Sequence, residues 1–226
     1  MKANTLKHLL LCVTAIALAA CLPMERQNER GEAAKSLVTE APAGIYNIDL
    51  SHADLSFRLK HLGFSLYTAR FTKFTAQLNF DPLKPAAMSV TTIVDPYSLA
   101  LPSPPAGFLN TLLGPEWLDA AQFPQIVFRS TDVEMTGTSS MRITGDLTLH
   151  GITKPIVLNA TFNGGYAGHP FDPNARVGFS ARGTFKRSDF GIVIGIPEPG
   201  TSMGVGDELE VIIEAEFTGP PLEEPK

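Results

Sequence analysis

Apolar and polar residues alternate most clearly in one stretch of the second half of the chain. Every second residue of 141–149 belongs to one apolar face, and the alternation returns over 156–162. A period of two buries one side of a β-strand and leaves the other side in water. His150 and Gly151 interrupt the pattern, and Gly readily adopts the positive φ of a tight turn. The stretch therefore predicts a β-hairpin, in which Gly145 leaves room on the apolar face for a bulky neighbour.

The same period recurs along most of the remaining sequence. Further strands are predicted near 46–50, 55–61, 74–80, 88–94, 126–135, 177–185 and 209–217. We expect a turn at 51–54 and a β-bulge near Thr72, because Phe71 is out of phase with the next strand. About eight or nine one-sided strands form either a sandwich or a closed antiparallel barrel. A barrel of about eight strands is packed solid or holds one small ligand, and the pattern alone does not choose between them.

One region of the predicted β-domain has a helical pattern instead. The apolar residues of 108–113 have helical spacing. Pro115 is placed to begin a second short helix over 116–121, because Pro is tolerated in the first turn of a helix. The region therefore predicts a short helical crossover between strands, and it contains Trp117, the only Trp of the chain.

The N-terminal residues have the pattern of an export signal. Lys2 and Lys7 precede an apolar run that ends in small residues, and this run is shorter than a membrane span requires. Residues 18–21, LAAC, resemble the bacterial lipobox, in which cleavage leaves a Cys that is then acylated. Ordinary signal cleavage after Ala19 is the alternative.

Cysteine usage favours the lipobox. The chain has two Cys, and Cys12 leaves with the signal. Cys21 then remains alone in an oxidising compartment, where an unpaired thiol needs a reason, and acylation supplies one. By the sorting rules of bacterial lipoproteins, Leu22 rather than Asp after the Cys indicates the outer membrane. We expect an exported outer-membrane lipoprotein that faces the periplasm, with a soluble periplasmic protein as the alternative.

The predicted organisation has four parts. Residues 1–20 form the signal peptide, and 21–43 carry the lipidated Cys and a polar, flexible tether. The β-domain spans 44–218, and 219–226 form a tail. The formal net charge is −5 and the sequence has no long basic run, which argues against a nucleic-acid partner because such partners need clustered Lys and Arg.

Candidate catalytic and metal-binding motifs are few. The sequence has no H-E-x-x-H motif, no Cys pair suited to a metal and no G-x-S-x-G nucleophile motif. The triplet 189–191, DFG, matches a kinase motif by letters only, because no phosphate-binding or catalytic loop accompanies it. We therefore expect no metal, no cofactor and no catalysis. The alternative is an enzyme acting on a quinone or isoprenoid, with His61 and Asp189 as its polar pair.

Four stretches of the predicted domain resemble the YceI family of bacterial secreted proteins, and the resemblance covers about residues 44–217. The stretches are 46–49 with His52 and 57–63, then 117–119 with 123–128, then 145–155, and finally 187–191 with 205–208. Their order and spacing also match. Three departures would alter the entrance of a barrel. Ala53 stands where the family often has Ser, Arg70 stands where it often has Gly, and 101–105 is unusually rich in Pro.

The resemblance implies an all-β fold, an extended lipocalin-like antiparallel barrel of about eight strands with one short helical crossover. Family members resemble carriers of long amphiphiles, especially polyisoprenoids and isoprenoid quinones, held in an apolar lumen. Side chains on the apolar faces would then contact the lipid. They are Phe57, Leu59, His61, Phe74, Leu78, Trp117, Phe128, Ile143, Leu147, Leu158, Phe162, Phe179, Phe185 and Val211.

Two of these residues have a predicted place at an end of the barrel. His61 ends an apolar strand face, so we expect it at a rim, where it would meet the head group of an amphiphile. Trp117 is large and amphipathic and lies in the crossover, so we expect it to cover a mouth of the barrel. The expected partners are a long-chain lipid and, through the anchor, a membrane, while a homodimer is left open. The rival to a lipid carrier is a structural lipoprotein whose barrel is packed solid.

Overall fold

Ten strands, one short α-helix and three 3₁₀-helices (Pro85–Ala87, Pro96–Ser98 and Arg187–Phe190) account for the regular structure of this protein in a computed structural model, which describes residues 36–222. The first half contains β1 (Gly44–His61), β2 (Ser65–Phe71), β3 (Phe74–Phe80), β4 (Ser89–Val94), β5 (Leu99–Ala100) and α1 (Phe108–Leu113). The second half contains β6 (Ile126–Met135), β7 (Ser140–Leu149), β8 (Ile152–Tyr166), β9 (Asn174–Lys186) and β10 (Val205–Pro221). Among the described residues, no helix has the length and hydropathy needed to cross a membrane.

Eight of the strands close into an antiparallel barrel. The order around the barrel is β1, β3, β4, β6, β7, β8, β9 and β10, and β10 pairs with β1 to complete the circle. The two remaining strands extend one end of it, because β2 pairs with the second half of β1 and β5 pairs with β2. The barrel predicted from the pattern and the resemblance is therefore confirmed. Closure also removes the exposed edges that an open sheet would have.

The first strand differs from its prediction. A turn was expected at 51–54, but β1 continues through these residues, and its pairing with β10 shifts register between Ile48 and Ala53. Such a shift marks a β-bulge, which bends a strand without ending it. The bend lets β1 serve two neighbours. Its first residues pair with β3, and residues 55–61 pair with β2.

Two more local predictions need correction. The phase change near Thr72 is the connection between β2 and β3 rather than a bulge, and β2 itself was not predicted. The helix expected over 116–121 is absent, and α1 ends at Leu113. Asp119 has a φ of 42°, a left-handed conformation that an α-helix does not accommodate.

The predicted hairpin forms as β7 and β8. The two strands pair from Ser140 with Thr161 to Leu149 with Ile152. His150 and Gly151 connect them with φ values of 51° and 75°, the positive values of a tight hairpin turn. A Cβ on Gly145 would lie 2.4 Å from the Phe128 ring, so the missing side chain makes room for that ring.

The barrel has a closed end, where β1 begins and β10 ends. Tyr46 and Phe80 are fully buried there, with ring centroids 5.3 Å apart. Burial raises the pKa of the Tyr46 hydroxyl to about 12, and this hydroxyl donates a hydrogen bond of 2.7 Å to the carbonyl of Pro42. Phe162 stacks on Phe80 at 5.8 Å. This end of the barrel is therefore packed solid.

Residues 36–43 cover the closed end. The N–H of Leu37 donates to the carbonyl of Pro82 at 2.8 Å, and the side chains of Leu37 and Ala41 are buried. The predicted tether therefore ends earlier than expected, because its last residues pack on the barrel. The strand β10 also continues past residue 218, the predicted end of the domain, to Pro221. The predicted signal, the predicted acylation site at Cys21 and most of the predicted tether lie outside the described residues.

An ionic cluster on the outer surface ties strands together near the closed end. Arg176 of β9 donates to Asp49 of β1 at 2.7 Å and also to Asp172. The pKa of the Asp49 carboxyl lies well below its usual range. The hydrogen bond from Arg176 is the largest cause, and the hydrogen bond from His52 is the next. Hydrogen bonds from Tyr166 and from Arg176 lower the pKa of Asp172. Both carboxylates therefore stabilise the folded chain at pH values above about 4, which is the pKa of an Asp in the unfolded chain.

We expect Arg176→Gln to weaken the acid dependence of stability. Lowered folded-state pKa values mean that stabilisation is lost as the pH falls from about 5 towards 2. Without the guanidinium, the Asp49 and Asp172 pKa values return towards those of the unfolded chain, so less stability is left to lose. Urea midpoints measured at pH 7 and pH 3 should differ less in the variant. Arg142→Gln, which breaks an exposed ion pair with Glu134, is the control, and equal acid dependence in both variants would contradict the assignment.

Candidate ligand-binding cavity

An apolar cavity of about 540 Å³ lies inside the barrel above the closed end. Inward-facing side chains of all eight barrel strands line it, because alternate residues of each strand point to the interior. Of the fourteen residues predicted to contact a ligand, thirteen line this cavity. They are Phe57, Leu59, His61, Phe74, Leu78, Trp117, Phe128, Ile143, Leu147, Leu158, Phe179, Phe185 and Val211.

Phe162 is the predicted residue that lies elsewhere. It is buried at the closed end, where its ring lies 5.3 Å from Phe179 and stacks on Phe80. Phe162 has the same inward phase as Leu158, but it lies four residues nearer to the packed end. Periodicity identifies the inward face of a strand and carries no information on depth along the barrel, which is why the prediction included Phe162.

Several cavity residues were missed from the sequence. Tyr67 and Phe71 of β2 line the cavity, as do Phe108 and Leu112 of the crossover. Their spacing contained the signal, because Tyr67 and Phe71 alternate with polar residues and Phe108 and Leu112 are one helical turn apart. Arg187 also lines the cavity. A charged side chain in an apolar lumen has no signature in the hydrophobic pattern.

The cavity reaches the surface at the end opposite to the packed one, and we call this the open end. Here β1 turns into β2, β7 turns into β8, and β10 begins. His61 and Phe108 both line the cavity and are exposed to solvent. His61 therefore lies at a rim, as its position at the end of an apolar strand face predicted.

The crossover between β5 and β6 forms part of the wall at the open end. Trp117 and Leu118 contribute to the lining, and Trp117 is half-buried. Further along, the ring of Phe123 lies edge-on to His150 at 5.1 Å. The segment is therefore docked on the turn between β7 and β8. Trp117 and His61 line the same cavity, and both belong to its open end.

Arg187 fastens the crossover to the barrel. Its side chain is 2% exposed and donates to three carbonyl oxygens, those of Gly206 at 3.0 Å, Ile192 at 3.0 Å and Val205 at 2.8 Å. Its Cζ lies 5.1 Å from the centre of the Trp117 ring, within the range of a cation–π contact. Burial lowers the pKa of the guanidinium, although an Arg remains charged at neutral pH.

The polar side chains in the lining are few. Besides Arg187 they are Ser56, His61, Tyr67, Ser89 and Thr92. The rings of His61 and Tyr67 lie 6.2 Å apart, so these two polar tips share the open end. Asp189, the predicted partner of His61 in an enzyme, is not in the lining and instead forms an ion pair with Lys154 at 3.3 Å. Within residues 36–222, no group of three or more His, Cys, Asp or Glu is arranged to hold a metal ion.

A closed antiparallel barrel around one apolar cavity defines a lipocalin-like barrel, a class in which the lumen holds a small ligand. The family model of the YceI-like domain matches residues 46–217. The chain therefore belongs to the YceI-like family.

Relatives and solved structures support this assignment. A UPF0312 protein of Vibrio cholerae is 38% identical over 178 residues, which are 78% of this chain and 90% of that protein. A UPF0312 protein of Shewanella oneidensis is 35% identical over 176 residues, which are 76% of this chain and 87% of that protein.

Two solved structures share the fold. BcnA from Burkholderia cenocepacia superimposes with a TM-score of 0.63 at 26% identity, covering 75% of this chain and 98% of that one. A polyisoprenoid binding domain from Saccharophagus degradans has a TM-score of 0.54 at 13% identity, covering 77% of this chain and 98% of that one. At 13% identity the second likeness concerns the fold alone.

We expect Arg187→Met to destabilise the protein by about 2–4 kcal/mol, because three carbonyl groups at the open end lose their donor. Urea unfolding gives the free energy, and the emission of Trp117 should change because its neighbouring cation is gone. Arg129→Met is the matched control. Arg129 is an exposed residue of β6, so its loss should change stability by no more than about 0.5 kcal/mol. Equal effects of the two substitutions would contradict the role given to Arg187.

Proposed function

We propose that this protein binds a long-chain amphiphilic lipid, of the polyisoprenoid or isoprenoid-quinone type, in the barrel cavity. The observation that carries the proposal is the combination of a packed end, an apolar cavity of about 540 Å³ and an exposed rim with polar tips. Ligand pockets commonly measure about 300–1,000 Å³. Burial of a hydrocarbon chain contributes about 0.8 kcal/mol per CH₂ before the costs of association. The protein would carry, store or sequester such a lipid in the periplasm.

The two ends of the cavity give the bound lipid an orientation. The tail lies towards the packed end, where the lining is apolar. The head group lies at the open end, near His61, Tyr67 and Arg187, because these side chains carry hydrogen-bond donors and an unpaired polar head is costly to bury. Two of the three guanidinium nitrogens of Arg187 carry a second N–H besides the one that bonds a carbonyl, so this side chain retains donor capacity.

The comparisons support a lipid ligand without naming it. The domain from Saccharophagus degradans is described as binding polyisoprenoids, and its barrel has the same fold as this one. The YceI-like family assignment rests on the sequence and covers the strands that line the cavity. The particular lipid in this chain, and its periplasmic role, belong to the proposal.

The proposal includes a membrane anchor at Cys21, supported by the lipobox-like sequence LAAC at residues 18–21. The protein would then be an outer-membrane lipoprotein that faces the periplasm. The N-terminal segment joins the barrel at its packed end, since Leu37 is bonded to Pro82 there. The entrance of the cavity therefore lies at the opposite end of the barrel from the point where the tether joins.

Mass spectrometry of protein purified from its own membrane tests the function. We expect a bound long-chain lipid in the native spectrum and, after digestion, an N-terminal peptide that begins with acylated Cys21. Chemical turnover of the bound lipid would instead identify an enzyme, and a barrel without lipid would identify a structural module. An unmodified Cys21, or cleavage at another residue, would contradict the anchor while leaving the result for the cavity unaffected.

Two substitutions should separate the contributions of tail and head. Ala181 is buried and lines the cavity, so Ala181→Phe should fill the lumen and weaken a polyprenol and its parent hydrocarbon alike, at least about tenfold, or 1.4 kcal/mol. His61→Phe should weaken only the alcohol, by about 1 kcal/mol, the scale of one hydrogen bond. Titrations in detergent are followed by fluorescence of Trp117, the only Trp of the chain.

Phe162→Leu is the control for these titrations, because Phe162 is buried outside the cavity. It should lower the free energy of unfolding by about 1 kcal/mol or more and leave both affinities unchanged. Normal binding by a folded Ala181→Phe variant would show that the lipid lies elsewhere. Equal losses of alcohol and hydrocarbon in His61→Phe would make His61 a packing residue.

A further inference from the structure

Several large apolar side chains are exposed at the open end of the barrel, and we call five of them, which lie on two neighbouring segments, the rim. They are Phe64, Leu66, Val193, Ile194 and Met203. Large exposed apolar groups are unfavourable in water, and a contiguous set marks an interaction surface more often than scattered single residues do. The rim is therefore a candidate interaction surface.

Backbone contacts hold the two rim segments side by side. The N–H of Leu62, in the turn between β1 and β2, donates to the carbonyl of Gly204 at 2.8 Å. The N–H of Val205 donates to the carbonyl of Gly195 at 2.7 Å, and His61 pairs with Val205. The turn that carries Phe64 and the loop over 191–204 therefore lie next to each other.

The rim borders the entrance of the cavity. His61, Ile192 and Val205 line the cavity, and each lies within three residues of a rim side chain in the sequence. The apolar lining thus continues outward into the apolar rim at the same end of the barrel. A hydrocarbon chain leaving the cavity here would meet apolar groups before it met water.

The charge pattern favours a lipid bilayer as the occupant. Residues 62–69 contain no charged residue, and 190–206 contain only Glu198. Apolar and Gly-rich segments without charges can enter the headgroup–acyl boundary of a bilayer, and a charge carried into the hydrocarbon would be costly.

The exposed apolar residues at the packed end have different surroundings. Phe171 precedes Asp172, and Leu83 lies between Asp81 and Lys84, with one Pro intervening. These side chains are as exposed as those of the rim, at 96% for Phe171 and 71% for Leu83 against 82% for Phe64 and 69% for Met203. They adjoin neither the cavity nor an uncharged loop, so they provide a matched comparison.

We infer that the rim docks onto a lipid bilayer, and that lipid passes between the membrane and the cavity through this contact. The transfer part of the inference rests on the proposed function. Docking sets the open end against the membrane, so a tail moves from bilayer to lumen along apolar groups. Because the rim segments are nearly uncharged, docking depends on apolar insertion and should change little with salt.

Vesicle flotation tests the docking. Every protein in this test carries Cys21→Ser, so that no acyl group attaches it to the membrane. Each is exported with a signal peptide that is cleaved before residue 21. The vesicles contain phosphatidylethanolamine and phosphatidylglycerol. Phe64→Ser combined with Met203→Ser should reduce flotation at least tenfold, whereas Phe171→Ser combined with Leu83→Ser should leave it unchanged. Equal flotation of the two double variants would overturn the inference.

A second measurement separates docking from cargo binding. Transfer of a polyprenol from vesicles should slow at least tenfold in the rim variant, while binding of the same polyprenol from detergent should stay unchanged. If neither the parent protein nor the rim variant binds polyprenol in detergent, the proposed function fails. The flotation result still decides whether the rim docks onto a bilayer. If the rim instead holds two copies of the chain together, the parent protein will be a dimer and the rim variant a monomer. Neither protein will then float with the vesicles, and that result would overturn the inference.

Discussion

Pairing of β1 with β10 is the interaction on which the rest of the molecule depends. It joins the first strand to the last and converts a sheet with two edges into a closed barrel. Closure places every inward side chain in one interior and pairs β1 with β10, which would be the edges of an open eight-stranded sheet. The interior is then a fixed volume, and the side chains that face it decide how much of that volume is filled. At one end Tyr46, Phe80 and Phe162 fill it, and towards the other end a cavity remains.

The open end follows from the way β1 divides its partners. Near its start β1 pairs with β3, and after the bulge it pairs with β2. The barrel wall is thereby extended by β2 and β5, and the crossover that follows β5 begins beside Tyr67 of β2 and reaches the turn between β7 and β8. Arg187 helps to hold this arrangement together, beside a second apolar cluster that includes Phe128, Leu147 and Phe190. It satisfies three carbonyl groups around the beginning of β10 and lies against Trp117. A buried cation needs such partners, because desolvation alone would be costly.

An apolar lumen with few polar tips recognises a ligand mainly by size and shape. Only six lining residues carry polar side chains, so most of the contact with a bound chain would be non-directional. Such a site tolerates variation in the length and branching of a tail. In the proposed function, selectivity for the head group would rest on the open end, where His61 and Tyr67 lie close together. The same end carries the uncharged rim, so the proposed recognition of the head group and the entrance of the cavity lie in one part of the molecule.

The sequence by itself determined the secondary structure of most of the barrel and the inward face of each strand. Alternation depends only on local backbone geometry, in which successive side chains point to opposite faces, so the hairpin of β7 and β8 could be predicted with its turn at His150 and Gly151. The resemblance to a family, carried by motifs at Trp117, Gly145 and Arg187, indicated the closed barrel that alternation alone left open beside a sandwich. Thirteen of the predicted ligand contacts line the cavity for this reason.

Depth along the barrel was decided only by the tertiary structure. Leu158 and Phe162 have the same inward phase, yet one lines the cavity and the other is packed at the closed end. The bulge in β1, which was predicted as a turn, depends on the need to pair with β10 on one side and two strands on the other. The environment of Arg187 depends on carbonyl groups that are distant in sequence. These properties come from contacts between segments far apart in the chain, and local periodicity carries no information on such contacts.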